Sequence, residues 1–265
     1  MSVFKFEARR LLIPSIVWTV VLCAIFWCFS LLFPTFQSAS DQFTQLLNSF
    51  PEQMREALNM DVASMFTLNG FFAFYSMYVM LASAIMACYF GVSIFAREKI
   101  AKTSDFLLAK PESRMNMYLQ KLAAGWLALV GINIVFVGFL LLMYHVLDHT
   151  GASYTVYVLL ALNLVIIQFM MFSIGAAIGT LAPKVRVPSG IASGVGFGLF
   201  ITGMLYGIIK DDVVRFVAPF QYLSSDFIMA HSRYDWPWLG LCVAVIVVPL
   251  AVSMIWYVRK DVEST

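Results

Sequence analysis

The chain has 265 residues, of which 61% are hydrophobic and only 12% are charged, and its formal net charge is +2. A soluble domain has about 25% charged residues, so this composition excludes a water-soluble globular protein. The small net charge also excludes a global basic field for nucleic acid. The four cysteines show neither a CxxC motif nor Cys/His ligand spacing. We therefore predict no disulfide framework and no metal site.

Six apolar stretches are long enough to cross the hydrocarbon core as helices, which takes about 20 residues each. They cover residues 14–33, 70–95, 122–147, 154–182, 189–209 and 237–258. None contains Asp, Glu, Lys or Arg, and each such charge at the bilayer centre would cost about 2.5–3.5 kcal/mol. The first stretch is about twice as long as a signal-peptide core, so we expect it to remain as a span. The predicted fold is an all-α membrane protein.

Lysine and arginine are distributed unevenly between the two sides of the predicted bundle. Four of the 17 lie on one side, namely Arg55, Lys210, Arg215 and Arg233, and the other side carries the rest together with both termini. Positively charged loops stay in the cytoplasm. We therefore predict a multi-pass protein of the cytoplasmic (inner) membrane with both termini in the cytoplasm.

The segments outside the spans are too short to hold a core of their own, so residues 1–265 form a single transmembrane domain. Residues 1–13 are predicted to contain an amphipathic N-terminal helix, with Phe4 and Leu11 opposite Lys5 and Arg9. Between the last two spans, apolar and polar residues alternate over a run too short to cross the membrane. Short re-entrant or interfacial outer helices are predicted there.

The loop 96–121 between the second and third spans carries an exposed apolar element. Ser104 is a candidate N-cap, and Pro111 disfavours helix at the residue before it, so a very short helix is predicted between them. Phe106, Leu107 and Leu108 lie on this helix, and fully burying each is worth about 1.5–3 kcal/mol. The helix either rests on headgroups or on its own helix ends, or fits a groove on a separate cytoplasmic subunit.

This loop resembles the coupling region of type-2 ATP-binding-cassette (ABC) export permeases, which runs R-E-x-x-x-G-T-x-E-x-L-L-x-x-P-x-S-R. The matching positions are Arg97, Glu98, Thr103, Leu107, Leu108, Pro111, Ser113 and Arg114. The sequence departs at Lys102 and Asp105, where the family often has Gly and Glu. The amphipathic start, the first outer loop from Phe50 and the Gly-aromatic start of the second span at Gly70 also resemble the family.

The resemblance implies a transport subunit that is not itself an enzyme. The chain has no G-x-x-x-x-G-K-[ST] phosphate loop, so we expect no catalytic residues and no cofactor in it. ATP and Mg would be bound by a separate ABC ATPase, with two permease chains, identical or homologous, and two ATPases in each complex. The residues expected to couple to the ATPase are Glu98, Thr103, Asp105, Phe106, Leu107, Leu108, Pro111 and Arg114.

Two sets of residues inside the spans are candidates for helix contacts or for a transport pathway. Gly190, Gly194 and Gly198 repeat every four residues, and so do Gly175 and Gly179. This spacing allows helix backbones to approach closely, either within one chain or at a dimer seam. Phe74, Tyr75, Met77 and Tyr78 give the second span an adaptable apolar surface that would line a pathway or pack against lipid or other helices.

The predicted function is export of an amphiphilic or hydrophobic substrate, such as a lipid, a peptide antibiotic or a drug. A secondary transporter or channel without an ATPase is the alternative, but it leaves the apolar element at Phe106 unexplained and lacks charges within the membrane. A membrane-embedded enzyme would need acids, bases or a metal at membrane depth. The predicted spans offer only His145, near one end.

Overall fold

The computed structural model describes residues 3–57, 65–101, 113–147 and 151–259, and every regular element in these ranges is helical. The α-helices are α1 (Val3–Ser38), α2 (Ser40–Asn48), α3 (Glu52–Ala57), α4 (Leu68–Ala101), α5 (Arg114–Leu147), α6 (Tyr154–Leu181), α7 (Pro188–Ile209), α8 (Asp212–Val217), α9 (Ser225–His231) and α10 (Trp236–Arg259). A 3-10 turn at Pro219–Gln221 separates α8 from α9. Six helices, α1, α4, α5, α6, α7 and α10, are long and apolar enough to cross a membrane. The predicted all-α membrane protein with six spans is confirmed.

The spanning helices are longer than the apolar stretches that predicted them, mainly at one end of the bundle. α4 continues from Phe95 to Ala101, and α5 begins at Arg114 instead of Leu122. We call this end the basic end, because it carries Lys5, Arg9, Arg10, Arg97, Arg114, Lys121, Lys184, Arg186 and Arg259. The opposite end carries α2, α3, α8 and α9. An apolar stretch predicts only the part of a helix that lies in lipid. Polar turns that continue the helix beyond the membrane are therefore missed.

The predicted N-terminal helix is not a separate element. Residues 3–13 form the first turns of α1, which runs through Pro14 and also contains Pro34. A proline inside a helix removes one backbone hydrogen bond and commonly kinks the helix without ending it. Here the turns before Pro14 are held by contacts with other helices: Glu7 pairs with Arg97 of α4, and the Phe4 N–H donates to Gln120 of α5.

The centre of the bundle is the pair α4 and α6. Within their most apolar windows, 78% of α4 and 61% of α6 is buried, whereas the other four spans reach only 17–28%. Glycines allow the two backbones to touch. A Cβ at Gly91 would overlap the Phe172 carbonyl oxygen, and one at Gly175 would overlap the Cys88 carbonyl oxygen. A Cβ at Gly179 would lie 2.7 Å from the Val92 carbonyl oxygen, so close packing within the chain explains Gly175 and Gly179.

The remaining spans pack around this pair. α7 packs on α4, α10 packs on α6, and α1 packs on α5 and α4. α3 and α7 are also in contact at the opposite end. Glycines also allow close helix contacts here. A Cβ at Gly196 of α7 would collide with the side chain of Ile85 of α4, and one at Gly125 of α5 would collide with the Phe172 ring of α6.

A cluster of aromatic rings joins α1 to this centre. Phe26, which is fully buried, makes edge-to-face contacts with Phe72 at 5.7 Å and with Phe136 at 6.2 Å between ring centroids. Phe72 in turn stacks on Tyr157 of α6 at 4.3 Å. Edge-to-face pairs contribute about 0.5–1.5 kcal/mol each beyond area burial, so the cluster fixes the relative positions of four helices.

Buried amides add specific links between helices. The Asn133 Nδ2 donates to Gln168 Oε1 at 2.9 Å, which joins α5 to α6, and also to the Leu129 carbonyl oxygen at 2.9 Å. The Asn163 Nδ2 donates to the Leu223 carbonyl oxygen at 2.8 Å, which ties α6 to the segment between α8 and α9. Amide groups are costly in hydrocarbon unless they are paired, so these bonds select particular helix contacts.

Gly175→Val is expected to destabilise the protein strongly, because the new side chain would meet a backbone carbonyl that cannot move aside without separating α4 from α6. Overpacking in a core costs about 1–3 kcal/mol, and a collision with backbone belongs at the upper end of that range. The measurement is thermal or denaturant unfolding in detergent. Gly138→Val is the matched control, because a Cβ at Gly138 meets nothing within 4 Å in the described part of the chain. Equal unfolding midpoints for the two variants would contradict the close packing of α4 on α6.

Candidate functional site

The segment 97–114, which we call the coupling segment because it is predicted to contact an ATPase, is flanked by the basic ends of α4 and α5. Glu98 lies in the last turns of α4, and Arg114 is the first residue of α5. The predicted coupling residues Thr103, Asp105, Phe106, Leu107, Leu108 and Pro111 lie outside the described residues. The structure does describe the helix ends on either side of this segment and the contacts that link them. We call these linked helix ends the base.

The first contact of this base is an ion pair between α1 and α4. Arg97 Nη1 lies 2.9 Å from Glu7 Oε2, and the exposed fractions of the two side chains are 21% and 5%. Glu7 is the only acidic residue of α1. A charge-assisted hydrogen bond with this little solvent access is shorter and stronger than a neutral one. It fixes the end of α4 from which the coupling segment departs.

The other end of the coupling segment is fixed by the same turns of α1. The Phe4 N–H, one of the first-turn donors that an α-helix leaves unsatisfied, donates to Gln120 Oε1 of α5 at 3.0 Å. The start of α5 is capped by Ser113, whose hydroxyl oxygen accepts from the Asn116 N–H at 3.3 Å. Two contacts within one turn of α1 therefore hold both flanks of the segment.

A buried lysine connects the same region to α10. Lys121 is fully buried, and its Nζ lies 5.8 Å from the ring centroid of Phe95 and 5.5 Å from that of Tyr257. Beside it, the Tyr118 hydroxyl donates to the Leu250 carbonyl oxygen at 3.1 Å and lies 2.7 Å from Ser253 Oγ. A cation held over aromatic faces is stabilised by their quadrupoles. The basic ends of α1, α4, α5 and α10 thus form one connected base.

The base is held together by several kinds of contact. One ion pair, one amide contact and packed rings hold the four helix ends in one geometry. Sequence reasoning used Arg97 as a loop charge and as a position of the coupling motif, counted Lys121 only as a loop charge, and did not identify Glu7 or Gln120. The isolated acid Glu7 beside Arg9 and Arg10 was a usable signal for an ion pair.

Glu7→Gln and Arg97→Gln are each expected to lower the free energy of unfolding by about 1.5–3 kcal/mol, because each leaves one member of a largely buried charged pair unmatched. The double variant is expected to cost less than the sum of the two. Unfolding midpoints of the four proteins, wild type included, measure this coupling. Arg186→Gln, at an exposed position of the same end of the bundle, serves as the control. Strict additivity of the two single effects would refute the ion pair.

The predicted pathway residues do not share one surface. Tyr75 and Met77 are buried, whereas Phe74 and Tyr78 are half-buried. Tyr75 belongs to the aromatic cluster: its ring stacks on Phe29 at 5.5 Å. Tyr75 and Met77 therefore pack inside the chain, whereas Phe74 and Tyr78 keep a partly open face.

The glycine stripe of α7, formed by Gly190, Gly194 and Gly198, faces away from the other helices in the described part of the chain. A Cβ at Gly194 or Gly198 would meet nothing within 4 Å among the described residues, and one at Gly190 would meet only Val187, three residues before it. The glycines of α7 that pack within the chain are Gly196, against Ile85, and Gly203, near Phe220. The sequence left two interpretations of this stripe open, packing within one chain and a dimer seam. The described residues do not provide the packing within one chain.

At the opposite end, Arg215 organises the segment between α7 and α10. Its guanidinium donates to the carbonyl oxygens of Gln221 and Tyr222, both at 3.1 Å, and lies 4.0 Å from the Trp238 ring centroid. Arg215 Nη2 also lies 3.9 Å from Asp235 Oδ2. The sequence marked Arg215 only as an outer loop charge, although the aromatic residues around it in the chain were a usable signal.

The same segment is also anchored on α6. The Tyr234 hydroxyl donates to the Leu159 carbonyl oxygen at 2.7 Å, and burial raises the pKa of this phenol above its ordinary value. Together with the bond from Asn163 to Leu223, this contact closes the segment over the end of the bundle.

Arg215→Lys is expected to loosen this segment, because a lysine keeps the charge but cannot reach two carbonyl oxygens with a planar fork while stacking on an indole. Backbone hydrogen exchange over residues 216–223 should accelerate by about tenfold or more, as the loss of two charge-assisted bonds implies. Mass spectrometry of exchanged peptides measures it. Arg233→Lys, at an exposed position of the same segment, should leave the exchange unchanged. Unaltered protection in Arg215→Lys would show that the fork does not hold the segment.

The six spans, with short helices at one end of the bundle and linked helix ends at the other, define a multi-pass membrane protein. A family profile described as ABC-2 family transporter protein matches residues 19–262. The chain belongs to this family, and it is an ABC permease, a membrane transport subunit whose family works in general with an ABC ATPase. No curated protein and no solved structure matches the chain at a significant level.

Proposed function

We propose that this chain is the permease of an ATP-driven exporter and that a separate ATPase drives it through the segment 97–114. The observation that carries the proposal is that both flanks of this segment, at Arg97 and at Gln120, are fixed by the first turns of α1. An apolar element such as Phe106–Leu108 needs a partner that buries it, and a rigid base beneath it is what transmission of force requires.

The mechanism follows from the packing. Closure of the ATPase on ATP would press on the coupling segment and displace the basic ends of α4 and α5 together with α1 and α10. Since α4 is packed on α6 through backbone contacts at Gly91 and Gly175, the central pair would move as a rigid body. ATP and Mg would be bound by the partner, and this chain would supply no catalytic group.

Orientation and assembly are part of the proposal. The basic end would face the cytoplasm, with both termini on that side of the inner membrane. Two permease chains and two ATPases would form the complex. The open face of α7 at Gly190, Gly194 and Gly198 supports a seam between permease chains, because small residues at this spacing suit close helix contact.

The proposed substrate is amphiphilic or hydrophobic, such as a lipid, a peptide antibiotic or a drug. The apolar stretches that predicted the six spans contain no Asp, Glu, Lys or Arg, which supports a pathway without charged binding groups. Phe74 and Tyr78, with their partly open faces, are the proposed pathway residues on α4.

Purification of the tagged chain from its native membrane in mild detergent tests the function. We expect it to retain, in equal amount, a protein that contains a G-x-x-x-x-G-K-[ST] loop and hydrolyses ATP. Phe106→Asp and Leu107→Asp should each reduce the retained ATPase by about tenfold or more, because the lost burial and the new carboxylate both weaken the contact.

Val213→Asp is the matched control, since Val213 is an apolar residue of the opposite end with 72% exposure. It should retain the ATPase at the wild-type level. Transport by the purified chain alone in vesicles, or full ATPase retention by both coupling variants, would refute the proposed mechanism.

A further inference from the structure

A groove of about 610 Å³ runs between α1 and α5 on the outside of the bundle. Most of its wall is apolar, and it includes Leu12, Ile16 and Val20 of α1 and Leu127, Gly131 and Val135 of α5. The side chains of Ile16 and Val135 are 56% exposed, so the groove opens toward the lipid and is not closed by the rest of the described chain. A Cβ at Gly131 meets nothing within 4 Å there.

The charged residue of the groove wall lies at its basic end. Arg9, which is exposed, forms part of the wall at that end. Ser15 follows deeper along α1, and its hydroxyl is buried with no hydrogen-bond partner among the described residues. A buried hydroxyl without a partner is costly, so this group indicates an acceptor supplied by a ligand.

The depth of these groups matches the layers of one membrane leaflet. From Arg9 to Val20 the helix rises by about 16 Å at 1.5 Å per residue, which is about half of a hydrocarbon core of about 30 Å. Ser15 lies about 9 Å below Arg9 by the same measure. A cation and then a hydroxyl donor are followed inward by a largely apolar wall, in which the Thr19 hydroxyl already donates to the Ser15 carbonyl oxygen at 2.8 Å.

The charge around the mouth of the groove favours an anion. Glu7 is the only acid of α1, and it is turned into the ion pair with Arg97. Lys5 and Arg10 lie within four residues of Arg9 on the same exposed start of α1. Basic clusters between spanning helices at this level of a membrane bind anionic lipid headgroups.

We infer that the groove between α1 and α5 is a binding site for one anionic glycerophospholipid of the leaflet at the basic end. Its phosphate contacts Arg9, an ester carbonyl oxygen accepts from the Ser15 hydroxyl, and one acyl chain lies along the wall from Ile16 to Val20. This lipid packs between α1, whose first turns hold the coupling segment, and α5. The inference does not depend on the proposed exporter or its substrate.

Native mass spectrometry of the full-length chain, with equimolar phosphatidylglycerol and phosphatidylcholine added in detergent, tests the site. Wild type is expected to retain one phosphatidylglycerol per chain in preference to phosphatidylcholine. Arg9→Gln should weaken this retention by about fivefold, the factor for one basic contact with an anionic lipid. Gly131→Leu should abolish it by filling the groove.

Two matched controls separate the groove from its surroundings. Arg186→Gln removes an exposed charge of the basic end, between α6 and α7, that does not line the groove. Gly138→Leu adds the same side chain two turns further along α5, where a Cβ also meets nothing within 4 Å in the described part of the chain. Both should keep the wild-type lipid. Equal retention of the two lipids, or equal loss in test and control variants, would overturn the site.

A photocrosslinking amino acid in place of Ile16 identifies the occupant in membranes containing phosphatidylglycerol. An adduct with the mass of that lipid is the expected product. A covalent dimer of the chain in its place would show that a second copy covers the groove and would overturn the lipid site.

Discussion

The contact between the backbones of α4 and α6 is the constraint on which the rest of the bundle depends. At Gly91, Gly175 and Gly179 the two helices approach so closely that a single methyl group would meet the main chain of the other helix. Lipid tails are as apolar as leucine, so the hydrophobic effect does not favour one helix pair over another in a membrane. Dispersion contacts at this short distance do favour one helix pair over another. They make α4 and α6 the central pair onto which α1, α5, α7 and α10 pack.

The two ends of the bundle are built differently around this axis. At the basic end, Glu7, Gln120 and Lys121 link α1, α4, α5 and α10 through charged and polar contacts with rings beside them. At the opposite end, a folded segment is held by Arg215 and by bonds from α6. This ABC-2 family permease therefore has two structurally distinct ends, one formed by linked helix ends and the other covered by a folded segment.

Much of the architecture was predictable because it depends on local composition. The absence of charge over about 20 residues defines a span wherever it occurs, so all six were found, and the alternation after residue 210 indicated the short helices α8 and α9. Helix ends were less accurate, because polar turns such as those from Arg114 to Lys121 continue a helix beyond the lipid without an apolar signal. The predicted coupling residues came from the apolar pattern of the loop and from its resemblance to the family, and Thr103, Asp105, Phe106, Leu107, Leu108 and Pro111 lie outside the described residues.

By itself the sequence determined the number of spans, their approximate limits and the family, because each follows from residue types along the chain. Only the tertiary structure decided which spans lie at the centre, that Tyr75 and Met77 are packed inside, and that Glu7 meets Arg97 across 90 residues. The physical reason is that lipid-facing and buried surfaces of a membrane helix are equally apolar. Periodicity therefore does not distinguish them, and the choice of partners is made by glycine-sized gaps and a few polar groups.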